Sequence, residues 1–199
     1  MSKEFMQSIK ERRSNYVIGK DKKVSEEKIT EIVTDLVKYV PSSFNSQSAR
    51  VVTLFNNESD KLWDITMEAL RKIVPADSFA ATEEKINSFK AGYGTVLFFE
   101  DNAVVEYLQE NYAIYANNFP IWSTESNGML QFAVWTALTN EGLGGSLQHY
   151  TELIEEEVKK AWDIPASWKL KTQMPFGSVE AATSPKQFNF KAEDVKFFG

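Results

Sequence analysis

Two adjacent arginines near the start of the chain have the chemistry of an anion-binding group. They lie in the stretch ERRSNY (residues 11–16), where Arg12 and Arg13 are followed directly by Ser14. A guanidinium group suits phosphate oxygens because its N–H donors form a planar fork. The same residues also suit a solvated helix end, since arginine opposes the partial negative charge at a helix C-terminus. The stretch therefore leaves both interpretations open.

The stretch PSSFNSQS (residues 41–48), which we call the cradle loop, is unusually rich in small hydrogen-bonding groups. A capped turn uses one or two such side chains to bond the local backbone. This loop has many more than that. Hydroxyl and amide groups can both donate and accept hydrogen bonds. The composition therefore favours a cradle for a polar heterocycle over an ordinary turn.

Two further stretches could contribute to a binding site. NEGLGGSLQHY (residues 140–150) could end a helix and continue as an exposed loop, or bring backbone N–H groups close to a flat ligand. His149 in this stretch is the single histidine, and a lone histidine is more often structural or exposed than catalytic. SPKQF (residues 184–188) supplies Lys186, which is either a surface lysine or part of an anion site.

The distribution of charge limits where an anion could be held. Residues 91–158 contain no lysine or arginine. Any bound anion must therefore contact basic residues from the first 90 positions or from residue 159 onward. The net charge of −6 makes a nucleic-acid partner unexpected.

Several classes of site are excluded by composition. The chain has no cysteine, which excludes disulfides and iron–sulfur clusters, and one histidine makes a metal site unexpected. No side-chain nucleophile with a base stands out, and the glycine-rich nucleotide motifs are absent. We therefore predict no catalytic side chain and expect a bound cofactor to perform any chemistry. No apolar run suggests a signal peptide or a membrane span, so we expect a cytoplasmic protein without membrane association.

Hydrophobic periodicity predicts an α+β fold in which helices outweigh strands. A chain of 199 residues suits a single domain, here a small sheet covered by helices on both faces. The predicted helices span residues 4–13, 26–40, 59–73, 79–90, 103–111, 126–140 and 151–162. The predicted strands span residues 51–55 and 95–99 and a third segment beginning near residue 168.

Three features predict a homodimer. The cradle loop begins at Pro41, directly after a predicted helix, so its polar groups project from a helix end where a neighbouring subunit could use them. The helix over residues 126–140 is apolar nearly all round, which implies burial on every side, either centrally or shared with a second subunit. The polar tail, residues 181–199, carries four phenylalanines but no core of its own. We therefore expect the tail to be an arm that packs on the partner subunit.

Taken together and in order, the motifs resemble the short branch of the flavin-dependent nitroreductase family. The matching stretches are ERRSNY, VPSSFNSQSARVVTLF, FKAGYGTVLFFED, WSTESNGMLQFAVWTALTNEGLGGSLQHY and MPFG, which together cover nearly the whole chain. The resemblance implies a single FMN-binding domain over residues 1–199. It also implies a nitroreductase-like fold with a small, mostly antiparallel sheet, in an intertwined homodimer.

The resemblance also implies a flavin site at the dimer interface. Arg12, Arg13 and Ser14 would hold the phosphate and pyrimidine end, while the cradle loop would come from the partner subunit. Lys186 would contact the phosphate. The remaining implied ligand-binding residues are Pro41, Ser42, Ser43, Asn45 and Gln47 of the loop, with Gly144, Gly145 and Ser146 near the reactive edge.

The implied function is that of an FMN-dependent oxidoreductase that uses NADH or NADPH. Nitroaromatics, nitroquinoline oxides or quinones would be reduced by ping-pong hydride transfer, next to Phe44, Tyr112, Tyr115 and Trp122. The alternative is a flavin-binding redox sensor or regulator, linked to stress or lipid signalling, without turnover. The chain departs from its relatives at Tyr16 and at residue 188, where many of them carry basic residues, so phosphate contacts are expected to be fewer.

Overall fold

A five-stranded antiparallel sheet forms the centre of the computed structural model, which describes residues 5–199. The strand order is β1-β5-β3-β2, and β4 also pairs with β5. The longest strand, β5, therefore contacts three others. The strands are β1 (Ile18–Gly19), β2 (Ala49–Phe55), β3 (Gly94–Asp101), β4 (Leu143–Gly145) and β5 (Trp168–Val179).

Helices cover both faces of this sheet, as the sequence predicts. The helices are α1 (Phe5–Glu11), α2 (Glu26–Tyr39), α3 (Asn57–Arg71), α4 (Phe79–Lys90), α5 (Asn102–Asn111), α6 (Phe119–Asn140) and α7 (Thr151–Ala161). None of these helices is long and apolar enough to cross a membrane. The α+β class with a small antiparallel sheet is confirmed.

Alternation along the strands divides the core into two layers. On one face, Leu97 and Phe99 of β3 pack with α3, α4 and α7. On the other, Val96 and Phe98 pack with α2 and α6. The indole N–H of Trp63 in α3 is satisfied by donating to Thr95 Oγ1 at 2.9 Å. The sheet is thus buried on both faces, which explains the nearly continuous apolar run TVLFF.

Local signals explain why α2 begins and ends where it does. Ser25 Oγ accepts a hydrogen bond from the Lys28 N–H at 3.2 Å, which caps the helix start. Glu26 and Glu27 occupy the first turn, where negative charge is favoured. Pro41 follows shortly after the helix end, because proline cannot continue a helix. The prediction for residues 26–40 is confirmed within one residue.

The prediction for the central helix was wrong about where the helix begins. Helix α6 begins at Phe119 rather than at residue 126, because Pro120 is tolerated in a first turn. In a single chain α6 is not buried on every side, since Met129 and Phe132 are 44% and 39% exposed, so of the two predicted alternatives the burial shared with a second subunit stays a prediction. These two side chains line an apolar groove of about 470 Å³ between α1, α2 and α6.

Two short strands were not predicted. Strand β1 has two residues, too few for any periodicity. Strand β4 has the sequence LGG, which suggests a helix stop and an exposed loop, yet all three of its residues are buried against β5. The predicted N-terminal helix, residues 4–13, is shorter in the structure, and its first residue lies outside the described part of the chain.

The tail beyond residue 183 has exposed side chains throughout. Its regular structure is one short turn over Ala192–Asp194. Phe197 and Phe198 are 90% and 91% exposed. Such exposure of large apolar side chains is typical of an interaction surface, so the packing of this arm on a partner stays a prediction.

A half-buried ion-pair network joins α7 to β5. Glu155 Oε1 accepts from Lys159 Nζ at 2.7 Å and from Lys169 Nζ at 3.2 Å, while Oε2 accepts from the Leu170 N–H at 3.1 Å. Burial by itself would raise the pKa of Glu155, but these hydrogen bonds outweigh burial and lower it. The ionised carboxylate therefore stabilises the folded chain.

We expect Glu155→Gln to lower the free energy of unfolding by about 1.5–3 kcal/mol at pH 7, the range for hydrogen bonds to charged groups. Because the folded-state pKa is lowered, the effect is full above the ordinary glutamate pKa of about 4.3. It disappears as pH falls through the lower folded-state value. Chemical denaturation at several pH values measures this. The control is Glu156→Gln, an exposed neighbour on the same helix, and an equal loss there would contradict the assignment.

Candidate functional site

The arginine–serine stretch and the glycine stretch lie side by side in the structure. Ser14 forms a parallel bridge with Gly145, and the Asn15 N–H donates to the Gly145 carbonyl at 2.9 Å. The chain segment that carries the two arginines is therefore added to the sheet alongside β4. Two of the predicted site segments are brought together within one chain.

The glycines of β4 allow this close packing. A Cβ atom on Gly144 would lie 2.8 Å from Asn15 Cβ and from Val179 Cγ2. A Cβ atom on Gly145 would lie 2.8 Å from the Pro175 carbonyl oxygen. Real Cβ atoms do not approach other atoms so closely, so both glycines have a packing role of their own. Their predicted donation of N–H groups to a ligand stays a prediction.

Ser146, the third predicted residue of this stretch, is buried and engaged. Its N–H donates a long hydrogen bond of 3.4 Å to the Pro175 carbonyl. Its Oγ accepts from Gln148 Nε2 at 3.0 Å. His149, which follows Gln148 directly, has an exposed side chain and forms no hydrogen bond within residues 5–199.

Arg12 has the clearest features of an anion-binding residue. Its guanidinium carbon lies 4.1 Å from the centre of the Trp135 ring, and its Nε is buried without a hydrogen-bond partner. Neither Arg12 nor Arg13 forms an ion pair with any described residue. Burial, and secondly the charge of Arg13, lower the pKa of Arg12. A bound anion would compensate both the burial of the Arg12 charge and its repulsion by Arg13, so the arginine pair fits a phosphate group.

The cradle loop has a strained backbone. Residues Ser43–Asn45 form a short 3-10 turn. Phe44, Asn45 and Gln47 have φ angles of 58°, 50° and 48°, a region that residues other than glycine seldom occupy. Such strain is found preferentially at ligand-binding and active sites. The surrounding structure must hold the loop in this shape.

Arg50 and a serine of the loop provide part of that support. The Gln47 N–H donates to Ser42 Oγ at 2.9 Å. Arg50 Nη1 donates to the Gln47 carbonyl at 2.6 Å, and its Nη2 lies 3.0 Å from Asp101 Oδ2. The loop is thereby tied to the end of β3. Sequence reasoning missed Arg50 and Asp101, because their connection depends on the register between β2 and β3.

Most polar side chains of the cradle loop are left available. Those of Ser43, Asn45 and Gln47 form no hydrogen bond with the part of the chain that the structure describes. Pro41 instead lines the apolar groove beside α6. A turn that needed these groups for its own stability would bond them locally, so their availability favours a ligand or a partner surface.

The aromatic residues predicted to line an acceptor site come together around Phe44. The Phe44 ring centre lies 5.1 Å from Tyr112, 5.7 Å from Tyr115 and 5.2 Å from Phe119. It stacks on Trp122 at 6.0 Å with an interplanar angle of 19°. Phe44, Tyr112 and Tyr115 are 50%, 44% and 41% exposed, so the cluster, which we call the aromatic platform, presents aromatic surface to solvent.

The tip of the cradle loop and the arginine pair contact opposite halves of α6 within one chain, whereas Pro41, at the start of the loop, lines the groove beside the second half of the helix. Phe44 of the loop contacts Trp122, near the start of α6, whereas Arg12 lies over Trp135. At 1.5 Å per residue these tryptophans are about 20 Å apart along the helix. Lys186 lies in the exposed tail, with Nζ 5.5 Å from the Phe188 ring centre. The predicted site residues therefore form separate groups in a single chain.

Comparison with known proteins identifies relatives along the whole fold. The model of the nitroreductase family matches residues 9–178. The protein HBN1 of Saccharomyces cerevisiae is 30% identical over 98% of this chain and 96% of its own length. The nitroreductase FRM2 of the same yeast is 28% identical over 92% of each chain.

A solved structure agrees closely with this fold. Nitroreductase CinD from Lactococcus lactis, in complex with chloramphenicol, is 42% identical and superimposes with a TM-score of 0.88. The match covers 98% of this chain and 100% of CinD. A second CinD structure, at 43% identity, contains 4-nitrophenol. By the extent of the family match and by the identity to these relatives, this chain belongs to the nitroreductase family.

Proposed function

We propose that this chain is an FMN-dependent oxidoreductase that uses NADH or NADPH to reduce nitroaromatics, nitroquinoline oxides or quinones. Membership of the nitroreductase family supports a nitroreductase activity. The main structural support for FMN as the cofactor is Arg12. Its buried Nε has no hydrogen-bond partner, and its charge is uncompensated. We also propose that the protein works in the cytoplasm.

The proposed FMN site uses cations from the two ends of the chain. Arg12, Arg13 and Lys186 would hold the phosphate, and Ser14 would lie beside it. Because residues 91–158 supply no cation, no positive side chain of the central region can substitute for these three. The other proposed FMN contacts come from Pro41, Ser42, Ser43, Asn45 and Gln47 and from Gly144, Gly145 and Ser146.

When bound, FMN would supply the redox chemistry, taking a hydride from the nicotinamide and delivering electrons to an oxidised acceptor in a ping-pong sequence. The protein itself would bind the cofactor, orient the reactants and exclude water from the site. Hydroxyl and amide groups of the cradle loop can donate to and accept from a pyrimidine edge. Donors fixed in advance at that edge would favour negative charge on it.

The aromatic platform supports a planar acceptor. Its exposed ring faces suit the stacking of another aromatic ring, which prefers centroid separations of about 4.5–7 Å. The similarity to CinD, solved with 4-nitrophenol, supports a nitroaromatic as one acceptor. We therefore propose that Phe44, Tyr112, Tyr115 and Trp122 set the shape of the acceptor site.

A homodimer would join the separate groups of site residues. A two-fold interface places the same surface of each subunit against the other. Pairing through the exposed face of α6 would bring the cradle loop of one subunit towards the arginine end of its partner. The apolar groove with Met129 and Phe132 supports this pairing, because it leaves large apolar side chains exposed in the monomer.

The first test is the colour and turnover of the purified protein. We expect a yellow protein that releases about one FMN per chain on denaturation. With excess NADH it should reduce 4-nitrobenzoate over many cycles, while benzoate, which lacks the nitro group, gives no turnover. A sensor without turnover would be reduced once and stop. A colourless protein that takes up no supplied FMN would overturn the proposed function.

The second test removes the phosphate-binding guanidinium. Arg12→Ala should weaken FMN binding by about 10- to 100-fold, because a charged hydrogen bond contributes about 1.5–3 kcal/mol. Titration with FMN fluorescence measures the affinity. The control is Arg71→Ala, since Arg71 pairs with Glu83 at 2.6 Å on a helix of the other layer. Unchanged affinity in a folded Arg12 variant would remove this residue from the site.

The third test concerns the dimer and its arm. Light scattering should give about 45 kDa, twice the 22.7 kDa chain. Deleting residues 185–199 should abolish both dimerisation and FMN binding, because stability and assembly are linked in an obligate dimer. Lys186→Ala in the full chain separates the effects, as it should weaken FMN binding and leave the dimer intact. A truncated protein that remains dimeric and yellow would exclude the arm.

A further inference from the structure

Glu100 is a carboxyl group buried in the middle of the fold. It lies near the end of β3 and points to the same face as Val96 and Phe98, towards α6, with 0% exposure. Its Oε1 accepts from Asn127 Nδ2 at 2.8 Å. Asn127 also donates to the Phe99 carbonyl at 3.0 Å, which fixes its orientation. One oxygen of Glu100 is thus an acceptor in a rigid setting.

The other oxygen faces the base of the cradle loop. Ala49 is the register partner of Glu100, and Ser48, the last residue of the loop, has its side chain beside the carboxyl. In the present geometry neither Glu100 Oε2 nor Ser48 Oγ completes a hydrogen bond, although both atoms are fully buried. The Ser48 carbonyl accepts from the Asp101 N–H at 2.9 Å, so the loop base is fixed directly beside the carboxyl.

The charged groups nearby do not neutralise Glu100. Arg50 on β2 is engaged by Asp101 at 3.0 Å and by a loop carbonyl. Lys171 is the extra residue where β5 bulges against β3 and forms no ion pair within residues 5–199. Burial raises the pKa of Glu100 more than the adjacent hydrogen-bonding groups and these two cations lower it. An ionised Glu100 would be a buried charge without a paired cation, which is strongly unfavourable.

We propose that Glu100 is a positioning residue that holds the cradle loop as a neutral carboxylic acid, with its Oε2–H donating to Ser48 Oγ. This arrangement pairs two buried atoms that otherwise have no partner. A carboxylic acid has one donor and keeps an acceptor for Asn127. Both hydrogen-bonding needs at this position are then met without a charge.

The consequence is a fixed base for a strained loop. Phe44, Asn45 and Gln47 hold unfavourable backbone angles, and each such residue costs on the order of 1–3 kcal/mol unless its surroundings impose the conformation. Ser48 is the residue at which the loop joins β2. This inference rests on the proposed function, because it is through the loop that Glu100 would affect FMN binding.

The first experiment compares two serines of the same loop in the full-length protein. Ser48→Ala should weaken FMN binding about 5- to 30-fold, because it leaves the Glu100 donor without an acceptor. Ser46→Ala is the matched control, since its side chain forms no hydrogen bond within the described chain, and it should change affinity less than twofold. Equal affinities for the two variants would overturn the proposal.

The second experiment separates a neutral from an ionised Glu100. Glu100→Gln retains one acceptor and one donor, so its FMN affinity should stay within about twofold of the natural protein. Glu100→Met keeps the length but removes both groups, and should match the loss in Ser48→Ala. A Gln variant that folds but binds as poorly as the Met variant would overturn the proposal.

Infrared spectroscopy reports the protonation state of Glu100 directly, independently of FMN binding. The difference between the natural protein and Glu100→Gln at pH 7 should contain the carbonyl stretch of a carboxylic acid. A carboxylate band in its place would overturn the proposal, whatever the FMN affinities of the Glu100 variants. A natural protein that binds no FMN would contradict the proposed function instead, while the infrared result would still decide the state of Glu100.

Discussion

Close backbone packing at one edge of the sheet is the constraint on which the candidate site depends. The segment after Arg13 lies against Gly145, and β4 lies against β5. A side chain on Gly144 or Gly145 would collide with atoms of these neighbours. Because the three segments touch through their backbones, Arg12 is carried to a defined place over Trp135. The glycine stretch therefore positions the arginine pair, whatever further contact it makes with a ligand.

The electrostatics at that edge are those of an incomplete site. Two adjacent arginines repel each other, and Arg12 is partly removed from water without a counter-ion. A stable protein could avoid this cost by pairing them with a carboxylate, and no ion pair joins either arginine to another described residue. Unfavourable local arrangements, such as an unpaired and partly buried charge, are found chiefly where function requires them. The uncompensated charge is thus better explained by binding than by folding.

The sequence predicted the periodic elements well and the non-local contacts poorly. Helix α2 and strand β3 have long apolar patterns, and both were found within a few residues of their predicted bounds. Strand β4 was missed because LGG has no periodicity, and it becomes a strand only when β5 pairs with it. The start of α6 was missed because Pro120 was not considered as a first-turn residue.

The features that make up the candidate site were visible in the sequence only in part. Arg12, Ser14 and the cradle loop stood out by composition, which one-dimensional patterns can reveal. Arg50 and Glu100 did not, because their partners are set by strand register. A single signal was available for Glu100, namely a carboxylate that ends the apolar run TVLFFE. An acidic residue in a fully buried strand needs a physical reason.

Under the proposed function, the geometry of α6 is a reason for one chain to need a second to complete a flavin site. The helix holds the aromatic platform and the tip of the cradle loop near one end and Arg12 near the other. The strained conformation and the unpaired polar side chains of the cradle loop do not stabilise its own chain. Across a two-fold axis, however, each loop would meet the arginine end of the other subunit, and both sites would be completed by the same contact. Cofactor binding and assembly would then be one linked equilibrium, in which the exposed apolar face of α6 supplies the driving force and the cradle loop supplies the specificity.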